Sequence, residues 1–151
     1  MSTSAEGSAQ AQDQKEEQRP LVMQIIIDRP ITKSADWNRG ALIAQGAHAA
    51  IAIIAQTIHE PLTKEYISAA NLDSMHKVVL QAPKSGSLAD LSQRLLEAQE
   101  KEEDETTGLR FPKHHLWIEQ PEGIPTAIAL APNRKPAALK KILDKCALLR
   151  D

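Results

Sequence analysis

The chain has 151 residues, a formal net charge of −2, 42% hydrophobic residues and 25% charged residues, which fits one globular domain with a short tail. Its single cysteine, Cys146, excludes an intrachain disulfide framework and suits a reducing compartment. No apolar run is long enough to cross a bilayer and the N-terminus lacks the hydrophobic region of a signal peptide, so we expect a cytoplasmic protein without membrane association.

The charges are distributed unevenly along the chain. Residues 1–20 carry two basic and four acidic groups and no large apolar residue after Met1, so we predict a disordered tail there and one domain over residues 21–151. Within that domain, residues 100–108 form a predicted acidic loop. Residues 133–150 hold six basic groups and one acidic group. This segment is either a face for nucleic acid or an ordinary solvated surface.

The first half of the domain predicts one strand and two helices. Residues 21–27 (LVMQIII) read as a buried strand, and Pro30 ends it because proline cannot continue a central strand. Residues 31–40 form a polar connection. Residues 40–58 predict a mostly buried helix, because apolar side chains recur at helical spacing to form one face, namely Ile43, Ala47, Ile51, Ile54 and Ile58. A second, weaker helical stretch covers residues 63–70.

The second half predicts three strands and two helices. Strands are expected over residues 77–81, 115–119 and 125–131, and helices over 87–100 and 135–149. Ser87 and Asp90 are spaced as an N-cap pair. Because helices separate three of the strands, we expect a mostly parallel sheet, in which the last two strands pair antiparallel across a short turn. The final helix would carry Cys146 towards the core.

The start of the first long helix is one candidate binding site. Arg39 and Gly40 lie at its N-terminus, where free N–H groups and the helix dipole favour an anion such as a phosphate. Gln45 and His48 follow at a spacing of three residues, so both can face one cleft. The alternative is a structural, hydrogen-bonded histidine on an alanine-rich helix.

Two strand ends supply further candidates. Strand alternation places His115, Trp117 and Glu119 on one side, and Glu119 stands at the carboxyl end of its strand, where it could act as a general base or simply cap a turn. Asp28 and Arg29 follow the first strand, and Arg29 could clamp a phosphate or form an ordinary ion pair. The sequence shows no metal-ligand spacing.

Four segments, taken in order, resemble the type II peptidyl-tRNA hydrolase family. The helix sequence GALIAQGAHAA is similar to the family's glycine-led helix with Ala-Gln-x-x-His-Ala, and KVVL followed by Ala-Pro is similar to its second strand. LWIEQPE and IALAP resemble a eukaryotic branch of the same family. The resemblance covers residues 21 to about 150 and implies a three-layer α/β/α fold with a four-stranded mixed sheet, often dimeric.

The family resemblance also implies an activity, hydrolysis of the ester between a peptide and its tRNA without metal or cofactor. In three places this chain departs from the pattern. Ala41 stands where the family has a lysine, and Glu119 stands where it has an aspartate. The path from Glu119 to Thr126 is also several residues shorter than the family loop that bears a threonine, so no matching loop threonine is expected.

These observations lead to two competing hypotheses. In the first, the protein is a peptidyl-tRNA hydrolase whose candidate catalytic residues are Glu119, His48 and Gln45. In the second, the same fold binds tRNA, another RNA or a protein without turnover, because Ala41 supplies no cation and the loop is short. A third possibility is a dimerisation scaffold whose cleft is vestigial. The expected partners are tRNA or peptidyl-tRNA and a possible second copy of the chain. The candidate RNA-binding residues are Arg29, Arg39, Gly40, Lys77 and Arg134.

Overall fold

A computed structural model of the protein describes residues 19–102 and 111–150. The predicted tail over residues 1–20 lies outside the described residues except for its last two positions. The predicted acidic loop over residues 100–108 also lies mostly outside them. Its first three residues, 100–102, are the last residues of a helix and not part of a loop.

One mixed sheet organises the chain, and it has five strands where four were expected. Its order is β3-β4-β1-β2-β5. The strands are β1 (Met23–Ile27), β2 (Lys77–Gln81), β3 (His114–Glu119), β4 (Ile124–Leu130) and β5 (Ala147–Leu148). The antiparallel pairing of β3 with β4 was predicted correctly. The prediction of a mostly parallel sheet was wrong, because β1 and β2 are the one parallel pair among these strands.

The strand directions nevertheless bring three carboxyl ends to one edge of the sheet. Strand β4 runs antiparallel to both β1 and β3, so β1, β2 and β3 all point the same way. Ile27, Gln81 and Glu119 therefore end at the same edge, and β4 begins there. We call this the carboxyl edge. Open α/β sheets gather their ligands at such an edge.

Helices cover both faces of the sheet, so the expected three-layer architecture is present. The helices are α1 (Arg29–Lys33), α2 (Arg39–Gln56), α3 (Pro61–Tyr66), α4 (Leu88–Glu102) and α5 (Ala137–Ile142), and a 3-10 turn follows α3 at Leu72–Ser74. Side chains from α2 and α3 share one core cluster with the sheet, and side chains from α4 and α5 share the other. None of the helices described is both long and apolar enough to cross a membrane.

Strand β1 lies at the centre of both cores because all five of its residues are buried. Met23, Ile25 and Ile27 pack on the α2 side, and Ile26 packs on the α4 side. Gln24 is buried as well, and its amide exchanges two hydrogen bonds with the side chain of Asn133, at 2.7 and 3.2 Å. Reciprocal pairing removes the cost of burying two amides.

Helix α2 was placed correctly along the chain, but the prediction of its buried face was wrong. The predicted apolar face contains Ile43 and Ile51, which are 73% and 71% exposed. The helix instead buries Gln45, Gly46, Ala49 and Ile53. An ideal Cβ on Gly46 would lie 3.3 Å from Ile25 Cγ2, so the small residue lets α2 approach β1 closely. This close approach leaves Ile43 and Ile51 facing outward.

Helix α4 begins as the sequence predicted. The backbone N–H of Asp90 donates to Ser87 Oγ at 3.0 Å, and the backbone N–H of Ser87 donates to Asp90 Oδ2 at 3.0 Å. This reciprocal capping box satisfies two helix-terminal donors with groups of the helix itself. Leu88, Leu91 and Leu95 then bury one face of the helix against the sheet.

The predicted helix over residues 135–149 was wrong in its second half. Helix α5 ends at Ile142, and Leu148 pairs antiparallel with Leu80 of β2. The short strand β5 covers backbone groups of β2 that would otherwise form an open sheet edge. Cys146 packs against the α4-side core, and burial raises the pKa of its thiol to about 11, so the thiol is protonated at neutral pH.

The connection over residues 31–40 differs from its prediction in one respect. Pro30 ends the strand as expected, but it occupies the first turn of the short helix α1, where proline needs no N–H partner. Ile31 of this helix is buried in the α2-side core. The connection is thus packed onto the domain and directs the chain into α2.

Candidate active site

The carboxyl edge joins the ends of three neighbouring strands. Glu119 is the last residue of β3, and Thr126 lies near the start of β4, its partner. The backbone N–H of Asp28, just after β1, donates to the carbonyl oxygen of Thr126 at 2.9 Å. Residues that are 98 positions apart in the chain are therefore bonded across this edge. Side chains from several elements therefore meet at this edge.

Helix α2 supplies the wall of this site on one face of the sheet. The side chain of Asn38 caps the helix by accepting from the N–H of Ala41 at 2.8 Å. One turn later Gln45 is buried, whereas His48 is exposed. Both side chains reach residues of β3 and β4, as the paragraphs below describe. Gln45 and His48 thus both face β3, Gln45 from inside the fold and His48 from its surface, and a cleft shared by the two stays a prediction.

Glu119 is surrounded by groups that favour its ionised form. A side-chain hydrogen bond from Gln45 lowers the pKa of this carboxyl, and a second from Trp117 lowers it further. Trp117 Nε1 donates to Glu119 Oε2 at 3.3 Å. Desolvation raises the pKa by less than either of these two hydrogen bonds lowers it, and the charge of His48 and the backbone N–H of Gln120 lower it slightly further. The carboxylate is therefore ionised at neutral pH and available to accept a proton.

Thr126 was not among the predicted site residues, yet its hydroxyl donates to Gln45 Oε1 at 2.8 Å. Strand alternation would place Thr126 with Ile128 and Leu130, which pack on the α4 side. The pairing of β3 with β4 shifts at this point, because Trp117 pairs with Ala127 and Ile118 with Pro125. Thr126 is thus the extra residue of a β-bulge, a device that re-aims side chains.

An aromatic pair fixes the outer part of the site. The rings of His48 and Trp117 stack with centroids 4.5 Å apart and planes inclined by 15°. His115 lies further along β3, tilted against Trp117 with centroids 6.3 Å apart, and its Nδ1 is 2.8 Å from Gln56 Nε2 of α2. The predicted common side of His115, Trp117 and Glu119 is confirmed, since all three reach towards α2. Alternation alone identified Trp117 as a neighbour of Glu119.

The N-terminus of α2 lies at the carboxyl edge, with Arg39 and Gly40 both exposed. Asn38 already occupies one of the free helix N–H groups there. Ala41 is half-buried and brings no charge to the site. The cation nearest in sequence is Arg39, which leaves the helix about 200° away from Ala41 around the axis.

Arg29 lies in a separate cleft of about 380 Å³ next to the start of β4. Its Nε donates to the carbonyl oxygen of Ala82 at 3.0 Å. Burial raises the pKa of the neighbouring Asp28, opposed by a backbone hydrogen bond from Arg29. The cleft is also lined by Lys33 and Lys84, so it presents three cations beside one carboxyl group. Such a lining can bind a phosphate.

The structure places the other two predicted RNA-binding residues at the opposite edge of the sheet. Lys77 starts β2, and its Nζ lies 3.2 Å from Tyr66 Oη and 5.3 Å from the centre of that ring. Arg134 follows β4 and binds both carboxylate oxygens of Glu65, at 2.9 and 3.1 Å. These two side chains do not join Glu119 in one pocket. Their predicted role in binding RNA would concern a different surface.

The described residues offer no obvious metal site. Across residues 19–102 and 111–150, no three histidine, cysteine, aspartate or glutamate side chains are grouped so that they could hold one ion. The polar groups at the carboxyl edge are instead suited to binding, orienting and moving protons, through one carboxylate, one imidazole, one amide and one hydroxyl.

Comparison with known proteins finds a matching family model and similar proteins. The family model described as peptidyl-tRNA hydrolase PTH2 matches residues 21–149. A human protein named "Putative peptidyl-tRNA hydrolase PTRHD1" is 37% identical over 120 residues, which cover 79% of this chain and 76% of the human protein. The mouse protein of the same name is 36% identical over 116 residues, which cover 76% of this chain and 73% of the mouse protein.

Proposed function

The chain belongs to the peptidyl-tRNA hydrolase PTH2 family, and on this basis we propose that it cleaves the ester bond between a peptide and its tRNA. The observation that carries the proposal is that Glu119 and His48 come together at the carboxyl edge, where Gln45 holds Glu119. The curated relatives bear the name of this activity. The chemistry of the site, an ionised carboxylate beside an imidazole, suits ester hydrolysis by water.

In the proposed mechanism Glu119 is the general base. It takes a proton from a water molecule while the water oxygen attacks the ester carbonyl. The resulting tetrahedral intermediate collapses by breaking the bond to the ribose oxygen of the tRNA. A proton from His48 or Glu119 completes the leaving hydroxyl, so the products are a peptide carboxylic acid and a free tRNA end. Gln45 holds the base, and Thr126 holds Gln45.

Ala41 sets the expected rate of this reaction. Negative charge builds on the carbonyl oxygen in the transition state, and a fixed cation or donor there contributes roughly 3 kcal/mol, or about a hundredfold in rate. The resemblance assigns that role to a lysine at the position of Ala41. We therefore propose a slow hydrolase, in which the N-terminus of α2 supplies weaker stabilisation.

The tRNA is proposed to lie along the carboxyl edge. Arg29, with Lys33 and Lys84, lines the neighbouring cleft and would bind a backbone phosphate. Arg39 and Gly40 would contact a phosphate at the start of α2. Lys77 and Arg134 remain candidates for a second RNA contact on the far side of the sheet, where both already bind neighbouring side chains.

A second candidate function is binding of tRNA without turnover, and the observation that favours it is the uncharged Ala41. Both functions share the fold, the cleft and the phosphate contacts. They differ in whether Glu119 is needed for what the protein does. A carboxylate that only contacts RNA would repel phosphate, so its loss would leave binding unchanged or stronger.

The deciding experiment follows deacylation of peptidyl-tRNA by the purified protein. We expect turnover above buffer, and Glu119→Gln should lower kcat at least a hundredfold because it removes the base. The matched control is Glu122→Gln, an exposed carboxyl three residues further on. Binding of tRNA should be unchanged in both variants. If the wild type shows binding but no turnover while an active family member works alongside, the second function replaces the first.

A further inference from the structure

Trp117 touches both proposed catalytic groups with different parts of one ring. Its indole N–H donates to Glu119 Oε2 at 3.3 Å, and its face stacks on His48 at 4.5 Å between centroids. The ring also packs against the α2-side core, which restrains it. A tryptophan serving the core alone would need no contact with either polar group.

We infer that Trp117 is a positioning residue, which fixes the Glu119 carboxylate through its N–H and the His48 imidazole through its ring face. This inference rests on the proposed function, because it assigns Trp117 a role towards the two groups named there. One rigid side chain would thereby set the distance and orientation between base and imidazole. Preorganisation of this kind is how enzymes hold reacting groups in productive geometry.

The surroundings of Glu119 explain why one more donor matters. From α2 the carboxylate faces Gln45 and His48, and from β3 and its following turn it faces Trp117 and the backbone N–H of Gln120. Among these groups His48 is the titratable one. Gln45 and Trp117 are the side-chain donors, and they come from different elements, so together they anchor the carboxylate from two directions. Without Trp117, Gln45 would be the one remaining side-chain donor to Glu119. Strand β3, which carries Glu119, is an edge strand of the sheet.

The first test needs no change to Trp117 and no turnover. The indole N–H resonance of Trp117 should shift during an acid titration with the midpoint of Glu119, because its acceptor loses charge there. The indole resonance of Trp37, the second tryptophan of the chain, is the internal control and should not follow that midpoint. The shift should vanish in Glu119→Gln. An indole signal of Trp117 that ignores the Glu119 titration overturns the inference.

The second test uses Trp117→Phe, which keeps an aromatic ring and removes the N–H. The pKa of Glu119 should rise, kcat should fall about tenfold with KM unchanged, and the acid limb of the activity profile should move to higher pH. Trp37→Phe is the matched control. A purely structural tryptophan would lower stability without moving the Glu119 pKa, and that result rejects the inference. A positive titration with an inactive wild type would instead reject the proposed function and leave the positioning contacts standing.

Discussion

The orientation of Gln45 follows from its two neighbours. Its Oε1 accepts from the hydroxyl of Thr126, so the amide nitrogen is the atom left to face Glu119. Rotating this buried amide would break its hydrogen bond with Thr126, which costs about 1–3 kcal/mol. Thr126 on β4 therefore determines which atom of Gln45 faces Glu119 on β3.

The first prediction at this scale concerns Ala41. Ala41→Lys should raise kcat for peptidyl-tRNA about a hundredfold, because it adds a cation where negative charge develops. The added charge lies at the positive end of α2, so the free energy of unfolding should fall by about 0.5 kcal/mol. Steady-state deacylation and urea unfolding measure the two effects.

The matched control for this prediction is Ala47→Lys. Ala47 lies on the same helix and is exposed, on the side that bears Ile43 and Ile51. The Ala47→Lys variant adds the same charge to α2, away from the site. Equal activity of the two lysine variants would show that a cation near Ala41 has no special access to the reacting ester.

At the scale of elements, the position of α2 determines the site. Gly46 and Ala49 bring the helix close to β1, and this contact places Gln45 inward beside Thr126. Had the isoleucines at 43 and 51 packed on the sheet, Gln45 would have pointed elsewhere. The bulge in β4 makes the matching adjustment from the other side by re-aiming Thr126. The site therefore depends on the fit between one helix and one strand irregularity.

The prediction at this scale concerns the start of α4. Ser87→Ala removes the hydroxyl that caps the helix, so the free energy of unfolding should fall by about 1 kcal/mol at neutral pH. The exposed Ser85→Ala is the control and should change stability little. Urea unfolding measures both. Equal stability of the two variants would mean that the capping box contributes nothing.

The same variant has a defined pH dependence. The hydrogen bonds of Ser87 hold the pKa of Asp90 below its usual value of 3.8. A group with a depressed pKa in the folded state stabilises above its unfolded pKa, and this contribution is lost as pH falls through the folded value. Ser87→Ala keeps the backbone N–H, which is the larger cause of this lowered pKa, and removes only the contribution of the hydroxyl. That smaller, hydroxyl-dependent part of the stability difference should therefore be lost below about pH 3.8.

For the whole molecule, the distribution of charge matters more than its sum. The net charge of −2 does not suit an RNA-binding protein, yet the cleft beside the carboxyl edge is lined by Arg29, Lys33 and Lys84. Local positive lining can bind phosphate while the remainder of the surface is neutral or acidic. Such binding weakens steeply with salt because counterions are released from the RNA.

The prediction at this scale is a salt dependence. Two phosphate contacts, one in the cleft and one at the start of α2, should weaken tRNA affinity roughly 7- to 12-fold between 50 and 200 mM salt. The double variant Lys33→Glu and Lys84→Glu should bind weakly and lose about half of that dependence. The control is Lys140→Glu with Lys141→Glu, two exposed lysines of α5 outside the cleft. An equal loss of affinity in both double variants would place the RNA somewhere other than the cleft.

The sequence by itself determined the local structure and the identity of the chemical groups. The buried strand β1, the limits of α2, the Ser87 cap and the common side of His115, Trp117 and Glu119 all follow from periodicity and capping chemistry. Such features depend on contacts between residues near one another in the chain, which a pattern records directly. The pairing of β3 with β4 belongs to the same class, since a short turn joins them.

Only the tertiary structure decided which faces meet. The exposed Ile43 and Ile51, the fifth strand and the bulge at Thr126 each depend on packing between distant segments. Hydrophobic periodicity predicts which face of α2 is the most apolar, but close packing on β1 selected the face that carries Gly46 and Ala49. Strand alternation likewise assumes uninterrupted strand pairing. The extra residue in β4 locally changes which face of the sheet a side chain points to. The contact between Thr126 and Gln45 is therefore a property of the folded chain.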